Sequence, residues 1–321
     1  VQESGYKLAA VILAAGKGTR MKSPYPKVLF KLCGRPLLEW VIGAVKGAGV
    51  EKVVVVVGSQ KEEVVKVVER LGGEWVEQAE QLGTGHALKV AGPRLQGTIE
   101  DILVLCGDTP LVRAETLRAL WRHHRETGAD VTLLTAYPED PMGYGRVMRD
   151  GQGRVKGIIE EVDLTEGERK AKEVNAGIYC FKANVLPSAL EGLTQENKKG
   201  EYYLTQVVEL LNSGIGKKVE AMPLANAWEV LGINSQADLA RLSQIAYGEV
   251  LRRLMSNGVT VVAPSSTFVE EGAEVGAGTV LYPFTYISKG VVVGKGCRVG
   301  PFVCLREGTM LGDGAEIGPN L

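Results

Sequence analysis

Histidine is scarce in this 321-residue chain, which carries only His86, His123 and His124. So few imidazoles argue against a structural zinc site. Cysteine is sparse too. Cys33, Cys106, Cys180, Cys297 and Cys304 are odd in number, scattered and without metal-ligand spacing, which points to free thiols in a reducing compartment. Long apolar runs are missing: the strongest, around Val53 to Val57, has the length of a strand and not of a membrane span. Near the start there is no charged, apolar and small-residue succession of a secretory signal, so a cytoplasmic location without membrane insertion is expected. The opening VQESGYK has no Met and is set aside from the fold reading. Charge of either sign is not in excess, with 37 Lys and Arg against 38 Asp and Glu. No bulk field therefore draws the molecule to nucleic acid, and any anion site has to be local.

What is present is a rhythm. Short apolar runs, "LAAVIL", "KVVVVVG", "DILVLCGD" and "DVTLLTAY", are bounded by turn residues. Between them lie helical stretches, "LLEWVIGAVKGAG", "KEEVVKVVERLG" and "AETLRALWRHHRETG", each closing on a glycine as helix C-termini often do. Nearly continuous Val/Ile/Leu strands alternating with helices predict an α/β domain whose parallel sheet is covered on both faces.

From Ala237 to Gly258 the pattern turns helical, with Leu239, Leu242, Ala246, Val250 and Leu254 on one face. Beyond it the period changes. Val269, Val275, Leu281, Ile287, Val293, Val299, Leu305, Leu311 and Ile317 stand six residues apart without a slip. A hexapeptide repeat of this kind predicts a β-helix: each hexad is one short side, three make a coil, and the aliphatic points inward. Nine such residues give about three coils. A stack of this kind ends in an open edge, so the chain is expected to be truncated within its β-helix.

The first strand runs into a glycine-rich basic loop, "LAAGKGTRM", followed by "PK" at Pro26-Lys27. A P-loop needs four residues between its first glycine and Gly-Lys-Ser/Thr, and Gly16-Lys17-Gly18-Thr19 is too compact. The dinucleotide fingerprint fails as well, because Met21 occupies its third glycine. "GKG" alone would read as a solvated turn. With Arg20 and Lys27 added, the loop reads as a polyphosphate site, its glycines admitting phosphate oxygens to backbone N–H groups. Asp108, at the end of the strand "ILVLCG", sits where open α/β sheets place ligands, and a carboxylate there could hold Mg²⁺.

The signature "LAAGxGTRM…PK" resembles that of the sugar-1-phosphate nucleotidyltransferases. The segments "QAEQLGTGHA", "CGDTPL", "GYGRV", "EVNAGIY", "GEYYLTQVV" and "VLGIN", in that order, make the chain similar to the bacterial bifunctional N-acetylglucosamine-1-phosphate uridylyltransferases/glucosamine-1-phosphate N-acetyltransferases. The resemblance implies a Rossmann-like, mostly parallel nucleotidyltransferase domain over residues 1–236, a linker helix over 237–258 and a partial left-handed β-helix over 259–321. It implies transfer of UMP from UTP to N-acetylglucosamine-1-phosphate, giving UDP-N-acetylglucosamine and pyrophosphate. Asp108 and Asn234 would be the ligands of Mg²⁺, and Arg20 and Lys27 the cations at the reacting phosphates. Leu13, Ala14, Ala15 and Gly16 would meet the nucleotide through their main chain, with Cys106 and Gly107 in the "CGD" turn beside it. Gln78, Gly83 and Thr84 would select uracil, and Gly145, Glu160 and Asn175 would hold the sugar. In the family a trimer is organised by the β-helix and acetyl transfer occurs farther along it, in coils expected to be missing here.

One departure is Ala176, giving "NAG" where many relatives have "NTG"; since Asn175 is kept, no change of substrate is expected. Two other readings stay open: the same reaction on another sugar or base, and a non-catalytic scaffold of the kind found in the eukaryotic translation-initiation exchange factor. The second would be expected to lose the metal ligand or the loop cations, yet Arg20, Lys27, Asp108 and Asn234 are all present.

Overall fold

A computed structural model of the chain describes residues 8–58, 61–95, 99–214 and 217–319; the opening segment set aside above lies outside them. Two compact units emerge: residues up to Leu29 together with Leu37–Asn234, and Phe30–Pro36 together with Ser235–Leu321.

In the first unit, β1 (Leu8–Ala14) is followed by α1 (Leu37–Gly47), β2 (Lys52–Val57), α2 (Glu62–Arg70), β3 (Glu74–Glu77), α3 (Thr84–Ala91), β4 (Asp101–Cys106), α4 (Ala114–Thr127) and β5 (Val131–Ala136). Then come β6 (Arg146–Arg149), β7 (Val155–Ile159), β8 (Val174–Lys182), α5 (Leu186–Glu191), α6 (Gln206–Ser213) and β9 (Val219–Pro223). The main sheet runs β9-β5-β8-β4-β1-β2-β3, with β6 and β7 attached beside β8. β1 lies at its heart, parallel to β2 with Ile12 opposite Val55 and parallel to β4 with Val11 opposite Val104.

Because side chains alternate along a strand, β1 feeds two cores. Ala10, Ile12 and Ala14 pack with Leu38, Val41, Ile42 and Val45 of α1 and Leu117 and Leu120 of α4. Val11 joins Ala87 and Leu88 of α3, Leu190 of α5 and Val207 and Val208 of α6 on the other face. The expected covering of both faces follows from strands apolar on both sides. The helix stops are glycines in part: Gly128 closes α4 in the left-handed conformation, donating its N–H to the Arg125 carbonyl.

The sequence rhythm did not disclose β8, which is antiparallel to both β4 and β5. A parallel neighbour needs a crossover, usually helical. The β6–β7 hairpin takes that place, so the chain re-enters from the opposite end.

The second unit begins with a small hairpin, Lys31–Leu32 with Arg35–Pro36, turning through Cys33 and Gly34 at positive φ. Its helix α7 (Gln236–Ser256) starts on a reciprocal cap: the Ser235 hydroxyl accepts from the Asp238 N–H, and the Asp238 carboxylate accepts from the Ser235 N–H. The hexads that follow form three parallel sheets of a left-handed β-helix. Val269, Ile287 and Leu305 stack in one, Val275, Val293 and Leu311 in the second, and Leu281, Val299 and Ile317 in the third. Val275, Leu311 and Ile317 are half-buried and the other six are buried.

A second six-residue series also faces inward. Thr267, Ala273, Thr279, Thr285, Val291, Cys297 and Val303, each two residues before an aliphatic, are buried. The hydroxyls are satisfied inside: Thr279 donates to the Gly294 carbonyl at 2.9 Å and accepts from the Cys297 N–H at 3.1 Å. An earlier strand, Thr260–Val261, pairs with Val280–Leu281 outside the six-residue register, and so escaped the pattern.

Candidate active site

The loops leaving β1 and β4 are tied together. The Gly107 N–H donates to the Leu13 carbonyl at 2.9 Å, and a side chain at position 107 would crowd Ala14 and Val28. This places the basic loop beside Asp108. Farther along, the Ile233 N–H donates to the Asp108 carbonyl at 2.9 Å, bringing Asn234 to the same point. Gly232 borders the same point: a Cβ there would make ordinary contact, 3.4 Å from the Asn234 amide nitrogen and 3.8 Å from the Asp108 carboxylate.

At this junction the Lys27 ammonium is ion-paired with Asp108 and donates to the Asn234 Oδ1 at 3.1 Å. Arg20, on the exposed rim, donates to that same oxygen at 2.9 Å. Lys27 is positioned by a glycine at positive φ, since a Cβ on Gly18 would stand 2.7 Å from its own Cβ. Two hard oxygens from separate loops thus converge on one cation. Among the described residues no cluster of three or more His, Cys, Asp or Glu could hold a metal. A pair of oxygens fits a divalent ion that keeps water and phosphate ligands, as Mg²⁺ does, and does not fit a closed structural cage.

Around the junction opens a cleft of about 490 Å³. Leu13, Ala14, Ala15, Gly16, Lys27, Cys106 and Asp108 line it, with Gln78, Gly83 and Thr84 on one wall. Lys17, a cation of the basic loop, and its neighbour Thr19 also line it, as do Gln81 and Glu201, neither of which was singled out from the sequence. Gln81 ties two loops together by donating to the Ala15 carbonyl at 2.7 Å. Gly83 has φ of +106°, and a Cβ on it would press to 2.6 Å from the Tyr202 carbonyl. The Thr84 hydroxyl accepts from the Leu204 N–H at 3.0 Å, so it already joins the wall to the segment before α6.

The predicted sugar residues are brought together, and none of the three lines this cleft. The Asn175 N–H donates to the Gly145 carbonyl at 2.9 Å. The Asn175 side chain donates to the Tyr179 hydroxyl at 2.7 Å and accepts from the Gly177 N–H at 3.1 Å, leaving one amide hydrogen and one lone pair. It braces an irregularity in β8 between Asn175 and Tyr179, where Gly177 has φ of +69°. Ala176 is buried in the apolar core. Glu160 accepts from the Thr205 hydroxyl at 3.0 Å; burial raises its pKa, and neighbouring carboxylates add to the effect. A Cβ on Gly145 would lie 3.6 Å from the Glu160 carboxylate. Cys106 adjoins both parts, its thiol pushed up to about 12 by burial and by Asp108, which leaves it protonated and unsuited to nucleophilic attack.

A central parallel sheet with a basic loop, a carboxylate and an amide at its C-terminal edge defines the nucleotidyltransferase class. The chain belongs to that class: residues 10–203 match the MobA-like NTP transferase domain family, and residues 266–307 match the bacterial transferase hexapeptide family. More particularly, it is similar to proteins named "Bifunctional protein GlmU". The one from Pelotomaculum thermopropionicum is 53% identical over 86% of this chain and 60% of its own length. Those from Acetivibrio thermocellus and Heliobacterium modesticaldum are each 45% identical, over 86% and 87% of this chain and 59% and 60% of their lengths. The chain therefore spans about 60% of the length of these relatives. No helix among the described residues is long and apolar enough to cross a membrane.

Proposed function

We propose that the chain transfers UMP from UTP to N-acetylglucosamine-1-phosphate, releasing pyrophosphate. The observation that carries this reading is the meeting of Lys27, Asp108 and Asn234 at the floor of a cleft walled by Gln78 and Gly83. A sugar-1-phosphate is already anionic at neutral pH. Its oxygen can form a bond to the α-phosphorus of the nucleotide while the bond to the β-phosphate oxygen breaks, and no base has to remove a proton. The barrier lies in charge crowding and alignment.

The chain's own groups address both. Lys27 and Arg20 place positive charge where phosphate oxygens gather, and their charge has to be worth more as that crowding grows in the transition state. Asp108 and Asn234 would hold Mg²⁺, which when bound neutralises phosphate charge. The backbone from Leu13 to Gly16 approaches the nucleotide without obstruction because its side chains are small or turned into the core. Gln78 and Gly83 read the base, while Gly145, Glu160 and Asn175 offer acceptors and donors to the sugar hydroxyls. Self-association through the β-helix, as a trimer, belongs to the same proposal.

Pyrophosphate release should need UTP, N-acetylglucosamine-1-phosphate and Mg²⁺ together, each omitted in turn. Equal release with glucose-1-phosphate, or with any other triphosphate, would replace this assignment by another sugar or base.

A further inference from the structure

We propose that His86 sets the base preference of the cleft by holding the Gln78 amide in one orientation. The inference deepens the uridylyl reading and rests on it for the placement of the base. His86 lies in the first turn of α3, and nothing in the motif comparison above assigned it a part.

Gln78 is nearly inaccessible, at 3% exposure, and its backbone is fixed by donation of its N–H to the Val57 carbonyl at 2.8 Å. Its side-chain nitrogen Nε2 lies 3.0 Å from the Gly83 carbonyl oxygen and 3.0 Å from His86 Nδ1. A carbonyl oxygen only accepts, so the atom facing Gly83 has to be the nitrogen; the reversed amide would set oxygen against oxygen. One amide hydrogen goes to Gly83. The second then goes to His86, which requires a lone pair on Nδ1 and hence a neutral imidazole with its proton on Nε2. The ring is flanked by Tyr202, with centroids 6.5 Å apart.

Both hydrogens of the amide are thereby spent inside the protein. Gln78 Oε1 accepts from no group among the described residues, and Gln78 lines the cleft. What the site offers a base is a fixed acceptor with no donor beside it. Uracil presents a ring N3–H to such an acceptor, whereas cytosine presents a lone pair at the same place, leaving two acceptors opposed. With His86 replaced by a group that cannot accept, the Gly83 carbonyl alone anchors the amide. Reversal about its last torsion then sacrifices one hydrogen bond in place of two, so the amide more readily offers a hydrogen to cytosine.

The test compares kcat/KM for UTP and CTP, at saturating sugar phosphate and Mg²⁺, in the wild type, His86→Leu and His86→Asn. The UTP-to-CTP ratio should fall by roughly fivefold in His86→Leu. That loss should come through KM for the nucleotide, with KM for the sugar phosphate unchanged. His86→Asn, whose Oδ1 can accept near the position of Nδ1, should restore most of the ratio. Should His86→Leu fail to fold, His86→Ala serves the same comparison. A ratio unchanged within about twofold in the Leu or Ala variant, or lost equally in His86→Asn, overturns the role of His86. A wild type that prefers CTP or ATP overturns it too. A wild type that prefers dTTP would overturn only the uridylyl reading, and the dTTP-to-CTP ratio of the variants would still decide the role of His86.

Discussion

At the scale of single residues, the arrangement turns on one shared cation. The Lys27 ammonium bridges Asp108 and Asn234, the two oxygens that would hold the metal. Asp108→Asn keeps the shape and removes the charge, so it should lower kcat by about a hundredfold or more. Its melting temperature should stay within about 2 °C of the wild type. An unaltered rate in the presence of Mg²⁺ would count against the assignment. Lys27→Ala should show two effects of opposite sign. Turnover should fall by about a hundredfold, with kcat affected as well as KM, because the charge acts on the transition state. Binding of Mn²⁺ alone, measured by electron paramagnetic resonance without nucleotide, should become tighter, since no ammonium competes for the two oxygens. Mn²⁺ binding that is weaker or unchanged would contradict the shared site. Gln81 and His86 were invisible before the structure because their work lies in single hydrogen bonds across 66 and 8 positions. Neither separation leaves a periodic trace.

At the scale of elements, legibility followed burial. β1, β2, β4 and β5 announced themselves because strands buried on both faces have to be apolar throughout. β8 was only half announced. Its first residues alternate between buried and half-buried, and its direction was decided by the hairpin before it, which no local pattern specifies. The β-helix was legible through its aliphatics, yet the companion series of Thr, Ala, Val and Cys passed unnoticed because small and hydroxylated residues do not register as a hydrophobic signal. The geometry explains their use: the interior is narrow, and Thr279 and Thr285 spend their hydroxyls on carbonyls of adjoining coils. The aliphatic ladder should be intolerant of shortening. Ile287 is fully buried and aligned with Val269 and Leu305, so Ile287→Ala should cost about 2–5 kcal/mol in denaturant unfolding. A loss below about 0.5 kcal/mol would mean that the coils relax around the gap and that the interior is not close-packed.

At the scale of the whole molecule, a net charge of −1 conceals strong local imbalance, and pH should expose it. Two buried carboxylates have lowered pKa values. For Asp101 burial pushes upward, and the His124 ring 3.6 Å away, a hydrogen bond from Trp121 and the charge of Arg125 outweigh it. For Glu173 burial is likewise outweighed, chiefly by Arg149, which donates through Nε and Nη2 at 2.7 and 2.6 Å. Groups depressed in the folded state contribute stability above the ordinary carboxylate pKa of about 4 and lose it as pH falls through the lower folded values. Glu160 has the opposite sign. Its pKa is raised by burial, so its ionised form burdens the fold at neutral pH and protonation relieves that burden. The melting temperature, followed by calorimetry, should therefore rise slightly as pH drops toward the ordinary carboxylate range and then fall steeply below about 4. Asp101→Asn should flatten the acid limb. Glu160→Gln, which can keep the Thr205 contact through its own amide oxygen, should raise the melting temperature at pH ~8 by about 2–4 °C. It should also raise KM for the sugar phosphate, and that second effect separates a carboxylate kept buried for its substrate from one that is only a packing defect. A stabilised Glu160→Gln enzyme with unchanged KM would remove Glu160 from the sugar site.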